Sequence, residues 1–282
     1  MKKYLLVILT ILVLLACDKV NKTGPLTWTL ENGVLTISGQ GAMPNYTNTT
    51  PWRKKADESN QIITNIFIEE GVTSIGDNAF KDLNSVVFVS IPSTLNNIGN
   101  YAFSGCTSLI SIKIPEGVLN IGGFAFKNCS KLIQIEIPDS VIKIGAFAFQ
   151  GCESLLNISL GKNLQLIDEG AFSSCANIKT ITSNNPIPPV TYSRFFTDIN
   201  LHNQKCRLIV PFDFINEYKE HMSWRLYIRD NEEIKDENRI TNPLEYFYSS
   251  ENTNENESRP SNPWDFLDSE NTNEKEIGSR QL

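Results

Sequence analysis

Histidine is scarce in this sequence: 282 residues contain only two, His202 and His221. Neither lies in a recognised arrangement with a nucleophile or a carboxylate, and no Cys-x-x-Cys pair is present to begin a metal site. The sequence therefore predicts no catalytic residues, no metal site and no cofactor, and it argues against an enzyme.

Positive charge is also in short supply, since the formal net charge is −7 at pH 7. A protein that binds nucleic acid needs a basic face to meet the phosphates. We therefore expect no nucleic-acid partner.

Apolar runs long enough to stay in a bilayer are missing, even at the amino terminus. Lys2 and Lys3 precede an apolar run from Leu5 to Leu15, which is too short to span a membrane. Residues 1–16 are therefore predicted to be a signal peptide.

The end of this signal resembles the lipobox of bacterial lipoprotein precursors. Leu14, Leu15 and Ala16 would be recognised by the signal peptidase, and Cys17 would become the lipidated first residue. Each buried acyl carbon contributes about 0.8 kcal/mol, so two or three chains hold a protein on a membrane. We predict an anchor at Cys17 and a tether over residues 17–25. An uncleaved signal anchor, or a secretory signal followed by a chance cysteine, is the alternative.

What the chain does have is one phrase, written five times over residues 61–183 with a period of 23 residues. An Ala-Phe pair marks each copy, and a cysteine follows it in four of the five. The phenylalanines are Phe80, Phe103, Phe126, Phe149 and Phe172, and the cysteines are Cys106, Cys129, Cys152 and Cys175, with Leu83 in the first copy. A fixed period of 20 to 29 residues is typical of a leucine-rich-repeat solenoid.

A single copy cannot bury its own apolar residues, but stacked copies share a continuous core. Alternation points Ile112 and Ile114 inward and Lys113 outward, and parallel pairing gives a rise of about 4.8 Å per copy. Each Ile-Gly turns the chain, and Ala-Phe-x-x-Cys drives a ring and a thiol into the core. The predicted fold is a repeat solenoid with a short parallel β-sheet and an irregular or short-helical convex side.

Both ends of the array carry signals for caps. Asn32-Gly33 between alternating segments predicts a β-hairpin inside an amino-terminal cap over residues 26–60. A proline cluster ends the period, and a strand near Cys206 with a short helix predicts a carboxyl-terminal cap over 184–234. Residues 235–282 are acidic and poor in core residues, so they are predicted to be a disordered tail.

The cysteine column has three interpretations. Leu83 in the same column favours a small apolar core group, and parallel side chains suit packing better than the torsion of a disulfide. Disulfides between copies, a bridge from Cys175 to Cys206, and a metal ladder are the alternatives.

Outward side chains of the strands offer a binding face, because solenoids usually meet their partners there. Exposed aromatic residues are typical anchors of protein interfaces, which singles out Phe67 and Phe88. The predicted protein-binding residues are Phe67, Phe88, Ser90, Lys113, Gln134, Glu136, Asn157 and Ser159. A further apolar column, comprising Val87, Ile110, Ile133 and Leu156, is either accessible or buried under the neighbouring turn, and burial is favoured.

The repeat phrase, the opening from Trp28 to Met43 with Pro51-Trp52, and the closing Leu208 to Pro211 with Trp224 resemble the BspA-like leucine-rich-repeat proteins of bacterial cell surfaces. The resemblance covers residues 26–234 and carries no catalytic residues. It implies a secreted or lipid-anchored protein at the outer membrane or cell surface, with a host matrix or surface protein as partner. A structural lipoprotein facing the periplasm, with partners in the envelope, is the alternative. We expect a monomer. The short array and the acidic tail depart from the family pattern.

Overall fold

The structure, a computed structural model, describes residues 21–192 and 206–224, which all fall within a single compact unit. The predicted signal peptide, Cys17, His202 and the predicted tail lie outside the described residues. Across the two described ranges, no helix is both long and apolar enough to cross a membrane.

The described elements are mostly short strands. They are β1 (Asn21–Thr23), β2 (Leu26–Glu31), β3 (Val34–Gly39), β4 (Gly41–Ala42), β5 (Asn65–Ile68), β6 (Val72–Ile75), β7 (Phe88–Ser90), β8 (Asn97–Ile98), β9 (Asn120–Ile121), β10 (Gln134–Glu136), β11 (Lys143–Ile144), β12 (Asn157–Leu160), β13 (Leu166–Ile167), β14 (Thr180–Ser183), β15 (Val190–Thr191) and β16 (Arg207–Ile209). Helix α1 (Pro51–Ser59), a 3-10 turn (Phe212–Phe214) and helix α2 (Ile215–Glu220) complete them.

The 23-residue copies stack as rungs of a solenoid, as predicted. On the first side, parallel strands pair in the order β3-β5-β7 and, further along, β10-β12-β14-β16. Gln134 lies beside Asn157, and Asn157 lies beside Thr180, so each residue meets its equivalent in the next rung. This register places identical positions in columns, which is why the sequence period survives as a surface pattern.

A second parallel sheet runs along the solenoid where the sequence indicated only a turn at Ile-Gly. Its seven strands follow the order β15-β13-β11-β9-β8-β6-β4. Ile98, Ile121 and Ile144 point into the core from this sheet and are buried. The strands are mostly two residues long, and such brief segments lack the alternation by which a strand is identified in a sequence.

The third side is built from stacked turns of the Ala-Phe-x-x-Cys segment. The Phe103 amide donates to the Ala125 carbonyl, and the Phe126 amide donates to the Ala148 carbonyl, both at 2.7 Å. All three sides therefore carry hydrogen bonds from rung to rung, which satisfies backbone groups that burial would otherwise leave unpaired.

A column of aromatic rings fills the centre of the solenoid. The five repeat phenylalanines are fully buried, and successive ring centroids lie 5.1–5.3 Å apart. Trp52 of α1 stacks on Phe80 with centroids 5.5 Å apart, so the amino-terminal cap continues the column. The single buried row expected from the period is confirmed.

One predicted strand is wrong. Residues 111–114 form no strand, although the copies on both sides do. Ile112 and Ile114 are nevertheless buried and Lys113 is exposed, as the alternation predicted. The Ile133 amide still donates to the Ile110 carbonyl at 3.1 Å, so packing and this contact hold the rung in place where ladder hydrogen bonds are loosened.

The cap hairpin is confirmed, because β2 and β3 pair antiparallel around Asn32 and Gly33, both at positive φ. The predicted tether differs from the structure. Its residues 21–23 form β1, which pairs antiparallel with β2 and places Asn21 beside Trp28. Burial of Trp28 in the core makes this pairing part of the cap, and the sequence gave no periodic signal for so short a strand.

The carboxyl-terminal end also follows the prediction where it is described. Strand β16 adds one more rung, and α2 supplies Tyr218, which is fully buried against Trp224. The Tyr218 hydroxyl donates to the Asn185 carbonyl at 3.1 Å, and burial raises the pKa of Tyr218 to about 12.

Candidate protein-binding face

The surface we call the strand face consists of the outward side chains of β5, β7, residues 111–113, β10, β12 and β14. All eight predicted binding residues lie on it, and none is buried. They form two neighbouring columns, because residues two apart on one strand share a face. The first column is Phe67, Ser90, Lys113, Glu136, Ser159 and Thr182, and the second is Asn65, Phe88, Ser111, Gln134, Asn157 and Thr180.

Two aromatic rings meet at the amino-terminal end of this face. Phe67 on β5 and Phe88 on β7 contact each other with centroids 5.5 Å apart and planes tilted by 52°. Phe67 is 40% exposed, which is unusual for a phenylalanine. The pair forms a preassembled apolar contact point, since each ring already restricts the rotation of the other.

The apolar column beside Phe88 is exposed, so the favoured prediction of burial is wrong. Val87, Ile110 and Ile133 are 44%, 47% and 38% exposed, and Leu156 is half-buried. The residue immediately before each of them, such as Leu109 before Ile110, fills the core instead. Neighbouring side chains on an extended segment point to opposite sides, so a buried Leu109 turns Ile110 outward.

Charge on the strand face is confined to the middle of the first column. Lys113 and Glu136 occupy equivalent positions in adjacent rungs, and both are exposed. The ion pairs found among residues 21–192 and 206–224 involve other side chains. The face is therefore apolar along one side and carries one charge of each sign at its centre.

The lipid-anchoring prediction concerns residues that the structure does not describe. Leu14, Leu15, Ala16 and Cys17 all precede Asn21, the first described residue. His221 is described: its Nδ1 accepts a hydrogen bond from the Ser223 amide at 3.4 Å in the carboxyl-terminal cap. Within the two described ranges, no three His, Cys, Asp or Glu side chains come together as a metal site.

The cysteine column consists of free, buried thiols. Each sulfur donates to the phenylalanine carbonyl of the preceding rung: Cys106 to Phe80 and Cys129 to Phe103, both at 3.3 Å. Burial raises the pKa of Cys106 to about 12 and holds the pKa of Cys129 well above its ordinary value. Because the thiolate is the reactive form, these groups act as core side chains. The structure supports the core interpretation and forms neither of the proposed kinds of disulfide.

Sequence reasoning missed a second aromatic column. Tyr101, Phe124 and Phe147 stack on the turn side with centroids 4.6 and 5.1 Å apart, and all three residues adopt positive φ. The ammonium groups of Lys81 and Lys127 lie 5.4 and 5.3 Å from the centroids of Tyr101 and Phe124. The available signal was an aromatic residue two positions before the repeat phenylalanine in three successive copies.

Comparisons with known proteins agree with this architecture. The family model of the BspA-type leucine-rich repeat region, in six copies, matches residues 58–136. A leucine-rich repeat protein from Bacteroides ovatus is 26% identical with a TM-score of 0.50, over 69% of this chain and 53% of that protein. This chain thus spans about half the length of that protein.

A leucine-rich repeat protein from T. pallidum is 22% identical with a TM-score of 0.43, over 64% of this chain and 86% of that protein. No curated protein matches the sequence. The matched period and the stacked rungs lead to one conclusion: the repeat region of this chain is of the BspA-type leucine-rich-repeat family.

Proposed function

We propose that this chain is a lipid-anchored protein of the bacterial cell surface that binds another protein through the strand face. The observation that carries the proposal is the exposed apolar strip, in which the Phe67–Phe88 pair adjoins Val87 and Ile110. Contiguous exposed apolar residues on a soluble domain mark interaction sites. A flat, columnar surface of this kind suits a protein better than a metabolite, since small ligands need a concave pocket.

The remainder of the strand face has the character of an interface rim. Ser90, Gln134 and Asn157 are half-buried polar residues that can exchange hydrogen bonds with a partner and with water. Energy in such interfaces concentrates on a few aromatic anchors, with polar residues providing complementarity around them. We assign the anchor role to Phe67 and Phe88, and we propose host matrix or surface proteins as the partner class.

Replacing both Phe67 and Phe88 with alanine is expected to weaken partner binding by at least about 2 kcal/mol, or roughly thirtyfold. The reason is that the change removes both rings of the preassembled contact point. The measurement is capture of matrix proteins on the immobilised chain, followed by titration of the captured partner.

The matched control is Tyr101→Ala and Phe124→Ala together, which removes two half-exposed rings from the turn side. This double variant should bind as the wild type does. Equal binding by the Phe67 and Phe88 double variant would show that the strand face is not the binding site.

Replacing Cys17 with alanine is expected to abolish acyl labelling and to move the protein from the membrane fraction to the soluble fraction. The thiol is the only group that could carry the diacylglyceryl chain in the predicted lipobox, and each lost acyl carbon removes about 0.8 kcal/mol of membrane affinity. Metabolic labelling with a fatty acid, with fractionation of the same cells, measures both effects.

Cys106→Ala is the control, since that thiol is buried and should leave labelling unchanged. Continued membrane association of the Cys17→Ala protein would contradict the lipid anchor and favour an uncleaved signal anchor. Protease added to intact cells should degrade the wild-type protein if the surface location is right, whereas protection would place it in the periplasm.

A further inference from the structure

The strand face is self-complementary about its middle. In its first column, Lys113 and Glu136 occupy the two central rungs, and Ser90 and Ser159 flank them on either side. A half-turn that exchanges the two central rungs therefore places lysine on glutamate and serine on serine. The sequence order along the column carries this property, and the rung register converts it into a surface.

The apolar column repeats the same symmetry. Ile110 and Ile133 lie in the two central rungs, with Val87 and Leu156 outside them. The same half-turn superimposes isoleucine on isoleucine and Val87 on Leu156. Val87, Ile110 and Ile133 are each more than a third exposed, so the strip has apolar area to bury. A strip of this composition is stabilised when a second apolar surface removes it from water.

We propose that a second copy of this chain binds the strand face, face to face, around a two-fold axis that runs along the strands between the rungs of Lys113 and Glu136. The proposal rests on the function assigned to the strand face and names its partner. Two-fold dimers use the same patch on both subunits, so a patch must complement itself to form one. Lys113 of each copy then meets Glu136 of the other, and the apolar strips of the two copies pack together.

Charge selects this arrangement over the other two-fold packing of the same faces. An axis parallel to the solenoid would keep the rungs in the same order and place Lys113 opposite Lys113 and Glu136 opposite Glu136. Like charges brought together at an interface oppose association. The two solenoids therefore run in opposite directions along the interface.

The size of the face sets the strength of the association. Six rungs at about 4.8 Å each and a width of three residues give an area of roughly 300–400 Å² per copy. Stable interfaces bury about 800 Å² per partner, so the dimer is reversible and concentration-dependent. The sequence alone led us to expect a monomer, because it contains no single motif for oligomerisation.

Charge reversal tests the proposal on the full chain, with Cys17→Ala in every protein so that acyl chains add no association of their own. Sedimentation velocity over a range of concentrations should show a monomer–dimer equilibrium for this reference protein. Lys113→Glu alone and Glu136→Lys alone should each weaken self-association by about tenfold, because each variant brings two like-charged pairs together. Both side chains are exposed, so thermal unfolding should stay unchanged.

Two combinations then restore the interaction. The double variant Lys113→Glu with Glu136→Lys should associate as the reference protein does. An equimolar mixture of the two single variants should also associate, since each copy then supplies the charge that the other needs. Recovery in both experiments supports the antiparallel arrangement.

Three results would overturn it: a reference protein that stays monomeric at every concentration, single variants that associate normally, or a double variant that stays as weak as the single ones. Failure of self-association leaves the proposed function separately measurable. If the immobilised chain still captures a different protein, and Phe67→Ala with Phe88→Ala removes that capture, the strand face is a binding site for another partner.

Discussion

Replacing Phe126 with alanine is expected to lower the free energy of unfolding by about 3–5 kcal/mol, the range typical of a buried phenylalanine. Phe126 is fully buried and lies at the middle of the aromatic column, with Phe103 and Phe149 stacked on its two faces at 5.3 and 5.1 Å. Neighbouring rungs cannot close the cavity, because each is fixed by backbone hydrogen bonds to the next. Urea denaturation followed by circular dichroism measures the loss.

Phe67→Ala is the matched control for this experiment. It removes the same side chain from the strand face, where Phe67 is 40% exposed, and it should cost much less than the loss of Phe126. Solenoid stability is approximately a sum of rung and interface terms, so the Phe126→Ala defect should reach the adjacent rungs first. Equal losses for the two variants would mean that the column does not carry the core.

Replacing Gly122 with alanine is expected to lower the free energy of unfolding by about 2–3 kcal/mol, the upper part of the range for overpacking. An added Cβ at Gly122 would lie 2.6 Å from the amide nitrogen of Asn100 and 2.6 Å from the carbonyl carbon of Gly99. Both are backbone atoms of the preceding rung, so the two rungs must separate to admit a methyl group. The midpoint of thermal unfolding should fall by several degrees.

Gly123→Ala is the control at the next position. Its added Cβ would meet the Ala146 carbonyl oxygen at 3.3 Å, a contact that a small adjustment relieves. Ala146 itself stands at the equivalent position one rung later, and a nearly neutral effect is expected. If Gly122→Ala were equally neutral, close approach of the rungs would not explain the glycine column.

The core could be predicted from the sequence because its signal repeats. Phe103, Cys129 and Ile144 each belong to a column in which one chemistry recurs every 23 residues, and each is buried. Five independent copies of one pattern leave few alternatives for the inward side. The Asn32-Gly33 hairpin was predictable for a different reason, since two positive-φ residues between alternating strands permit few backbone paths.

The binding face was only partly predictable. The two columns that include Phe67 and Phe88 lie where alternation within the strands placed them. The exposure of Ile110 was not foreseen, because an isoleucine after a core leucine gives no sign of which of the two is buried. That decision depends on how the chain enters the strand, and the same limit explains the missing strand at residues 111–114.

The sequence by itself determined that the chain folds as a solenoid, which columns are buried and where the array ends, because stacking turns one local pattern into a core. Only the tertiary structure decided the second sheet, the contact between Phe67 and Phe88, and the exposed strip beside them. These features depend on distances between residues 23 positions apart. Such distances are set by the packing of whole rungs, and no single copy of the phrase contains them.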